Sequence, residues 1–319
     1  MLIPSIYCFM FMYIMSFIMV LSSEDWFLIW LSLEINMMSF ILLIYRRYSL
    51  KVIECCLSYF FIQSLGSAFL ISMLYNDLYE FKSMICLILS YKIGAGPFFY
   101  WFPTMCLGID WLSCYLLMMM QKFIPLLLMF MFIHWVLWII MLISLFMGVF
   151  GSFNQINIKG LMAYSSIHHL GWIIMVGMSN KLMWMIYLLL YGMVLLSVVI
   201  LFMKNETIDL FKMYNSSDKF WFILSMMSMA GIPPLLGFYL KWMALYNIMM
   251  VSEIMLMILI MVSVLMLYIY MRVVYDVMMM GGLGNSWLNF NLYKNEFMAD
   301  VVGSLGMVLG LFFGLYLYM

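Results

Sequence analysis

Leu182-Met183-Trp184-Met185-Ile186-Tyr187-Leu188-Leu189-Leu190-Tyr191-Gly192-Met193-Val194-Leu195-Leu196-Ser197-Val198-Val199-Ile200-Leu201-Phe202-Met203 carries no charge and is apolar on every side. A soluble helix keeps a polar face for water, and this stretch has none. Roughly 20 such residues in an α-helix cross the hydrocarbon core of a bilayer. A membrane β-strand would instead alternate apolar and polar residues at every second position. With no water in the core, each backbone amide must pair within its own segment. The stretch therefore predicts a transmembrane helix.

Runs of the same kind recur along the 319 residues. Hydrophobic residues make up 68% of the chain and charged residues 9%, with a mean hydropathy of +1.13. Soluble domains are about half apolar and a quarter charged, so a water-facing surface could not be built from this composition. The fold class expected is all-α, a polytopic membrane helix bundle. Spans are predicted near 2–21, 26–45, 52–75, 83–103, 109–130, 132–150, 156–177, 182–203, 220–246, 252–275 and 301–319. That makes about eleven transmembrane helices in a single transmembrane domain over 1–319. The first run starts with no basic segment or small-residue cleavage site before it, and reads as a retained span rather than a removable presequence.

Fourteen Lys and Arg balance fourteen Asp and Glu, so no basic surface invites nucleic acid. The six cysteines, Cys8, Cys55, Cys56, Cys86, Cys106 and Cys114, show no metal-ligand spacing and read as small core fillers. No metal site is expected. The charge lies mostly in short connections such as Arg46-Arg47 and the segment 204–219, while Gly281–Asp300 reads as a loop with an interfacial piece. One set of alternate loops holds Arg46, Arg47, Lys51, Lys159, Lys204, Lys212, Lys219, Arg272 and Lys294. The opposite set is thin and mostly acidic, with Glu24, Asp25, Asp77, Glu80 and Glu253 against Lys82 and Lys181. Lys and Arg excess marks the side from which insertion begins. The N-terminus is expected on that side and, with eleven spans, the C-terminus opposite.

Four ionisable residues fall well inside apolar spans: Glu34, Lys92, Lys122 and Lys241. Each charge at a helix centre costs roughly 2.5–3.5 kcal/mol, so four isolated charges would cost about 10–14 kcal/mol. Pairing, water or loss of the charge must offset this. Snorkelling accounts for Lys82 and Lys181 near span ends, but Glu34 is too deep for it. A structural partnership with Asn or Ser on another helix is the plain alternative for Glu34. Taken as a set, the four point to an ion or proton pathway.

Two of the lysines stand beside helix breakers. In Tyr91-Lys92-Ile93-Gly94-Ala95-Gly96-Pro97, Pro97 lacks the amide that would bond the Ile93 carbonyl, and Gly94 and Gly96 ease departure from helical geometry. In Ala230-Gly231-Ile232-Pro233-Pro234, the two prolines free the carbonyls of Met229 and Ala230, with Lys241 two turns farther on. Discontinuous helices are therefore expected at both places, with ordinary proline kinks as the simpler alternative. Pro125 frees the Gln121 carbonyl beside Lys122. Within Ala163–Trp172, Ser165 and His169 are i,i+4 neighbours and make a possible hydroxyl–imidazole relay. Helix–helix hydrogen bonding is the alternative, and for His168 the better one.

Trp30–Ser39, Lys92–Pro103, Trp111–Pro125, Ala163–Trp172 and Gly231–Trp242, in this order, resemble the subunit 2 family of mitochondrial NADH:ubiquinone oxidoreductase. These are antiporter-like membrane subunits of respiratory complex I. The resemblance covers nearly the whole chain and implies antiporter-like inverted repeats, each with one discontinuous helix. It implies a first-half proton module over about 1–131, a second-half module over about 132–275, and a C-terminal loop and last helix over about 276–319. Glu34 and Lys92 would be the charged pair of the first half, Lys122 the central-axis lysine and Lys241 the lysine of the second broken helix. His169 matches a histidine position on the polar axis, whereas His168 replaces a smaller residue. The family commonly has a glutamate where this chain has Thr104 after Pro103. The 42 methionines and few alanines look like a mitochondrial gene read with a reassigned methionine codon.

The function so implied is redox-driven proton translocation across the mitochondrial inner membrane, with the N-terminus in the matrix and the C-terminus in the intermembrane space. No cofactor is expected on this chain; flavin, iron–sulfur clusters and quinone belong in or near other subunits. Partners implied are other membrane and accessory subunits of complex I and membrane lipids, cardiolipin among the candidates. A stand-alone cation/proton antiporter and a non-pumping structural subunit stay open as alternatives.

Overall fold

A computed structural model of the chain describes residues 3–45, 49–75, 81–180, 182–205, 219–233, 235–249 and 253–280. Among them the chain forms α1 (Ile3–Ser22), α2 (Trp26–Ile44), α3 (Leu50–Tyr75), α4 (Lys82–Ile93) and a 3-10 turn (Gly96–Phe98). It continues as α5 (Trp101–Gly108), α6 (Trp111–Met118), α7 (Met120–Met131), α8 (Val136–Phe153), α9 (Ile158–Ser179) and α10 (Met183–Asn205). The last three are α11 (Lys219–Ala230), α12 (Leu236–Met249) and α13 (Glu253–Met280).

Helical periodicity separates two apolar faces rather than an apolar face from a polar one. On α1, Tyr7, Phe11, Ile14 and Ile18 are exposed, while Tyr13, Ser16 and Val20 are buried. On α13, Met257, Met261, Val264 and Tyr268 face outward, and Leu259, Val262, Met266 and Val273 face inward. Outward residues this large and apolar suit hydrocarbon, not water. The buried serines bond back to their own helices: Ser16 to the Tyr13 carbonyl, Ser144 to Met141, Ser152 to Val149 and Ser225 to Phe222. Their hydroxyls are thus satisfied without water.

The chain divides into two compact units, Met1–Met147 with Ser166–Ile174 and Gly148–Ser165 with Met175–Met319. In the first, α2 packs on α1 and α3, α3 on α4 and α5, and α7 on α4 and α6. In the second, α11 packs on α10, α12 and α13, and α12 also meets α10 and α13.

Each unit contains a broken helix. In the first, α4 stops at Gly94, whose φ of 74° is left-handed, and the chain turns through Gly96 (φ 62°) into α5 at 90°. Glycine is required at both positions. A Cβ on Gly96 would also sit 3.1 Å from Ile140 Cγ2 and 3.3 Å from its Cα. The carbonyls released at the end of α4 are taken up one by one. Ser90 accepts from the Ala95 amide at 2.9 Å, Tyr91 from the Trp101 indole at 3.2 Å, and Lys92 from the Gln63 side chain at 2.8 Å. In the second unit, α11 ends at Gly231 (φ 80°), and its amide and that of Ile232 bond back to the Met227 carbonyl. Gly237, the second residue of α12, passes so close that a Cβ would overlap the Ser228 carbonyl oxygen.

The expectation of about eleven spans is corrected. Among the described residues, seven helices are long and apolar enough to cross a membrane, or eight if the bent pair Lys82–Phe98 and Trp101–Gly108 is one span. The stretch expected over 220–246 is two helices of 12 and 14 residues. At about 1.5 Å per residue neither crosses the core alone. Ile6–Ser22 is a shorter apolar helix. The predicted last span (301–319), the loop Gly281–Asp300, Arg46, Arg47 and Pro234 lie outside the described residues.

Two stability effects follow from the α4 break. Gly96→Ala should destabilise the assembled protein by about 1–2 kcal/mol from left-handed backbone strain alone, read as a lower melting midpoint after detergent extraction. Gln63→Leu strands the Lys92 carbonyl and should cost about 1–3 kcal/mol, with faster amide exchange at Gly94 and Ala95. An unchanged midpoint and exchange rate would contradict the capping role of Gln63.

Candidate functional site

Glu34 and Lys92 both meet polar or small residues of α3. Glu34 on α2 accepts a hydrogen bond from the Ser67 hydroxyl, and the Trp30 indole donates to the Ser67 carbonyl at 3.1 Å. One residue away, Gly66 leaves room for the Lys92 stem: a Cβ there would meet Lys92 Cγ at 2.8 Å and Cε at 3.0 Å. Lys92 is 5% exposed, and its charge interacts with that of Glu34. Gly66 and Ser67 lie one turn beyond Gln63, at i+3 and i+4 on α3. The three hold, in turn, the Lys92 backbone, the Lys92 side chain and the Glu34 carboxylate. The two sequence-predicted residues of this half are thus brought together by an intervening helix.

Lys122 lies farther along the same unit. Met119, outside helical geometry at φ −115° and ψ −66°, separates α6 from α7. Lys122 is 2% exposed, donates from Nζ to the Ser166 carbonyl at 3.1 Å, and sits 4.7 Å from the centre of the Phe102 ring. Ser166 is in mid-helix, so its carbonyl serves a buried cation as well as its own helix. An aromatic face and a carbonyl together replace part of the hydration that an ammonium loses on burial. Gln121, next to Lys122, donates its amide to Asn36 Oδ1 at 2.8 Å, two residues from Glu34.

His169 is buried and its ring centre lies 5.7 Å from that of His168. His168 Nε2 accepts from the Trp172 indole at 3.1 Å. Thr104 donates to the Trp101 carbonyl of its own helix at 2.8 Å and is exposed.

In the second unit Lys241 donates from Nζ to the Ala230 carbonyl at 2.6 Å. Ala230 is the last residue of α11, so the lysine of α12 caps the end of the preceding helix half. Gly231 makes this possible, since a Cβ there would crowd Lys241 Cδ at 2.9 Å and Nζ at 3.1 Å. Pro233 is exposed at the turn. The Ser165 hydroxyl donates to the Met162 carbonyl at 2.7 Å, within its own helix.

Sequence reading passed over several of these residues. Gln63, Gly66 and Ser67 form a polar and small-residue face inside the third apolar run, a pattern visible in Gln63-Ser64-Leu65-Gly66-Ser67. Lys159 and Arg272, counted with the loop charges although inside the predicted spans 156–177 and 252–275, lie in helices of the second unit. Lys159 is buried in the first turn of α9. Arg272 on α13 donates from Nη2 to the carbonyl of Phe153, the end of α8, at 2.6 Å. A cation at that helix end also suits the helix dipole. Among the described residues no group of three or more His, Cys, Asp or Glu could hold a metal ion.

Comparison with known proteins agrees with this architecture. A family model described as NADH:quinone oxidoreductase/Mrp antiporter, TM, matches residues 23–266. The NADH-ubiquinone oxidoreductase chain 2 of Anopheles gambiae is 34% identical over 310 residues, 90% of this chain and 90% of that protein. A chain of respiratory complex I from Thermus thermophilus with bound aureothin superposes with a TM-score of 0.74 at 21% identity, covering 97% of this chain and 78% of its own. A chain of the Mrp complex from a Dietzia species gives 0.67 at 13% identity, covering 92% and 72%. At those identities the two structures speak for the fold alone. The family match and the mosquito relative go further: this multi-pass membrane protein belongs to the NADH:quinone oxidoreductase/Mrp antiporter family of membrane subunits.

Proposed function

We propose that this chain is a membrane subunit of a mitochondrial NADH:ubiquinone oxidoreductase and takes part in proton translocation driven by electron transfer in other subunits. The observation that carries the reading is a lysine at the break of a helix in each unit, buried Lys92 and half-buried Lys241, with a third, buried Lys122, on a mid-helix carbonyl. Buried amines are costly to keep in hydrocarbon, and within membranes they mark ion and proton routes. Irregular backbone at membrane depth is tolerated where it lines protein or a water-filled path.

In this reading Glu34 governs Lys92. A unit pair at 4 Å and an effective dielectric near 20 interacts by about 4 kcal/mol. Bringing the carboxylate closer holds a proton on the lysine, and drawing it away on Ser67 and α3 lets the proton leave. Lys122, His169 and Lys241 carry it onward, with Ser165 a further relay group. Gly94, Gly96, Pro97 and Pro233 are the helix breaks that open the path. NADH, flavin, iron–sulfur clusters and quinone are handled elsewhere, and the partners are other membrane and accessory subunits with bound lipid. The N-terminus faces the matrix, in keeping with the loops rich in Lys and Arg.

The test replaces Lys92, Lys122 and Lys241 singly by Met in the assembled complex and measures proton uptake alongside NADH oxidation. Each should lower proton translocation by about 10²-fold or more, the scale of a positioned proton-transfer group, with assembly intact. Unchanged coupling in all three would leave a scaffold only. The native chain should also run with a very large assembly on purification. Isolation as a free, active exchanger would instead identify a stand-alone antiporter.

A further inference from the structure

The apolar run Trp111–Met131 is long enough to cross the membrane as one span, yet it is interrupted at Met119. Neither proline nor glycine lies between Trp111 and Lys122. Pro125 comes six residues after Met119, and the carbonyl it leaves free is that of Gln121. The break therefore belongs to the hydrogen bonds and side chains around Met119 itself. The Met119 amide donates to the Tyr115 carbonyl at 3.0 Å and closes α6. Its carbonyl accepts from the Lys122 amide at 3.3 Å, a tighter turn that opens α7. The same residue is also held through its side chain, because the Tyr115 hydroxyl donates to Met119 Sδ at 3.0 Å. Met119 is buried and Tyr115 half-buried.

A phenol inside hydrocarbon needs an acceptor, and the thioether supplies one. Methionine is unbranched and adopts many shapes. Pinning its sulfur removes that freedom at the residue where this span leaves helical geometry. Lys122 follows three residues later, and its Nζ reaches the Ser166 carbonyl at 3.1 Å beside the Phe102 ring. A hydrogen bond is lost by about 3.6 Å, so a drift of about 0.5 Å at Nζ releases that carbonyl. Gln121 ties the first turn of α7 to Asn36 of α2 at 2.8 Å. That turn is thus held from two directions, by α2 at Gln121 and by the end of α6 at Met119. We propose that Tyr115 is a positioning residue for Lys122: through the Met119 sulfur it sets the α6–α7 joint that aims the lysine at the Ser166 carbonyl. The contribution to proton transfer rests on the transport reading above, whereas the aim of the lysine does not.

Tyr115→Phe deletes the donor and keeps the ring, and Met119→Leu deletes the acceptor at similar volume. An electron-microscopy map of the assembled Tyr115→Phe complex should show Lys122 Nζ out of hydrogen-bond distance of the Ser166 oxygen. A lysine still on that carbonyl overturns the proposal. Proton translocation should fall by about threefold in each single variant, the lower range for one net hydrogen bond, with NADH oxidation by an acceptor upstream of quinone unchanged. The double variant should lose the same factor, since both changes remove one contact, and losses that multiply to about ninefold count against the coupling. Met119→Gln places an amide oxygen within reach of the phenol. It should keep translocation on its own and lose it when combined with Tyr115→Phe, a dependence that simple packing does not produce. If Tyr115→Phe does not assemble, the two Met119 variants decide, and equal translocation in Met119→Leu and Met119→Gln overturns the proposal. Lys122→Met run in parallel separates the claims: full translocation there removes the transport reading, while the map still decides the positioning.

Discussion

A backbone carbonyl released inside hydrocarbon has to find a donor, and the arrangement of this molecule turns on where those donors come from. At the end of α4 they are two amides of the turn, the Trp101 indole and the Gln63 amide. At the end of α11 the donors are the turn amides and the Lys241 ammonium. In water either break would be capped by solvent. Here the cap must be protein, and the side chains recruited for it bring polar chemistry into the membrane.

The two units solve this in different ways. In the first, the lysine belongs to the helix that ends, and a neighbouring helix supplies the cap through Gln63. In the second, the lysine belongs to the helix that follows and is itself the cap. Both depend on a glycine with positive φ and on the absence of a side chain where the lysine stem passes, at Gly66 and at Gly231. Enlarging either glycine would therefore displace a lysine as well as strain a turn or crowd a helix.

Much of this was legible in the sequence, because oil imposes simple demands. A chain with 68% hydrophobic residues has to be a membrane bundle, and Gly94-Ala95-Gly96-Pro97 and Gly231-Ile232-Pro233 announce broken helices without any structure. The number of spans was not legible. Run-counting joins 220–246 into one segment because Leu235 and Leu236 keep the hydropathy high across a turn that is not helical. Arg272 lay inside the predicted span 252–275 although it was counted with the loop charges, and α13 runs on to Met280. The α3 face escaped notice because a glutamine, a glycine and a serine in an apolar run look like ordinary packing residues. Only the approach of α2 and α4 gives them partners. Asn36 and Gln121 are 85 positions apart, a pairing that no local pattern encodes.

Two of the lysines inside the apolar helices, buried Lys122 and half-buried Lys241, donate from Nζ to backbone carbonyls. A carboxylate anchors an amine through charge, and the anchor weakens when the amine becomes neutral. A carbonyl asks only for an N–H, which the ammonium and the neutral amine both provide. Staying in place and carrying charge are then separate properties of the same nitrogen. A side chain tethered in this manner can change its ionisation without needing to swing away.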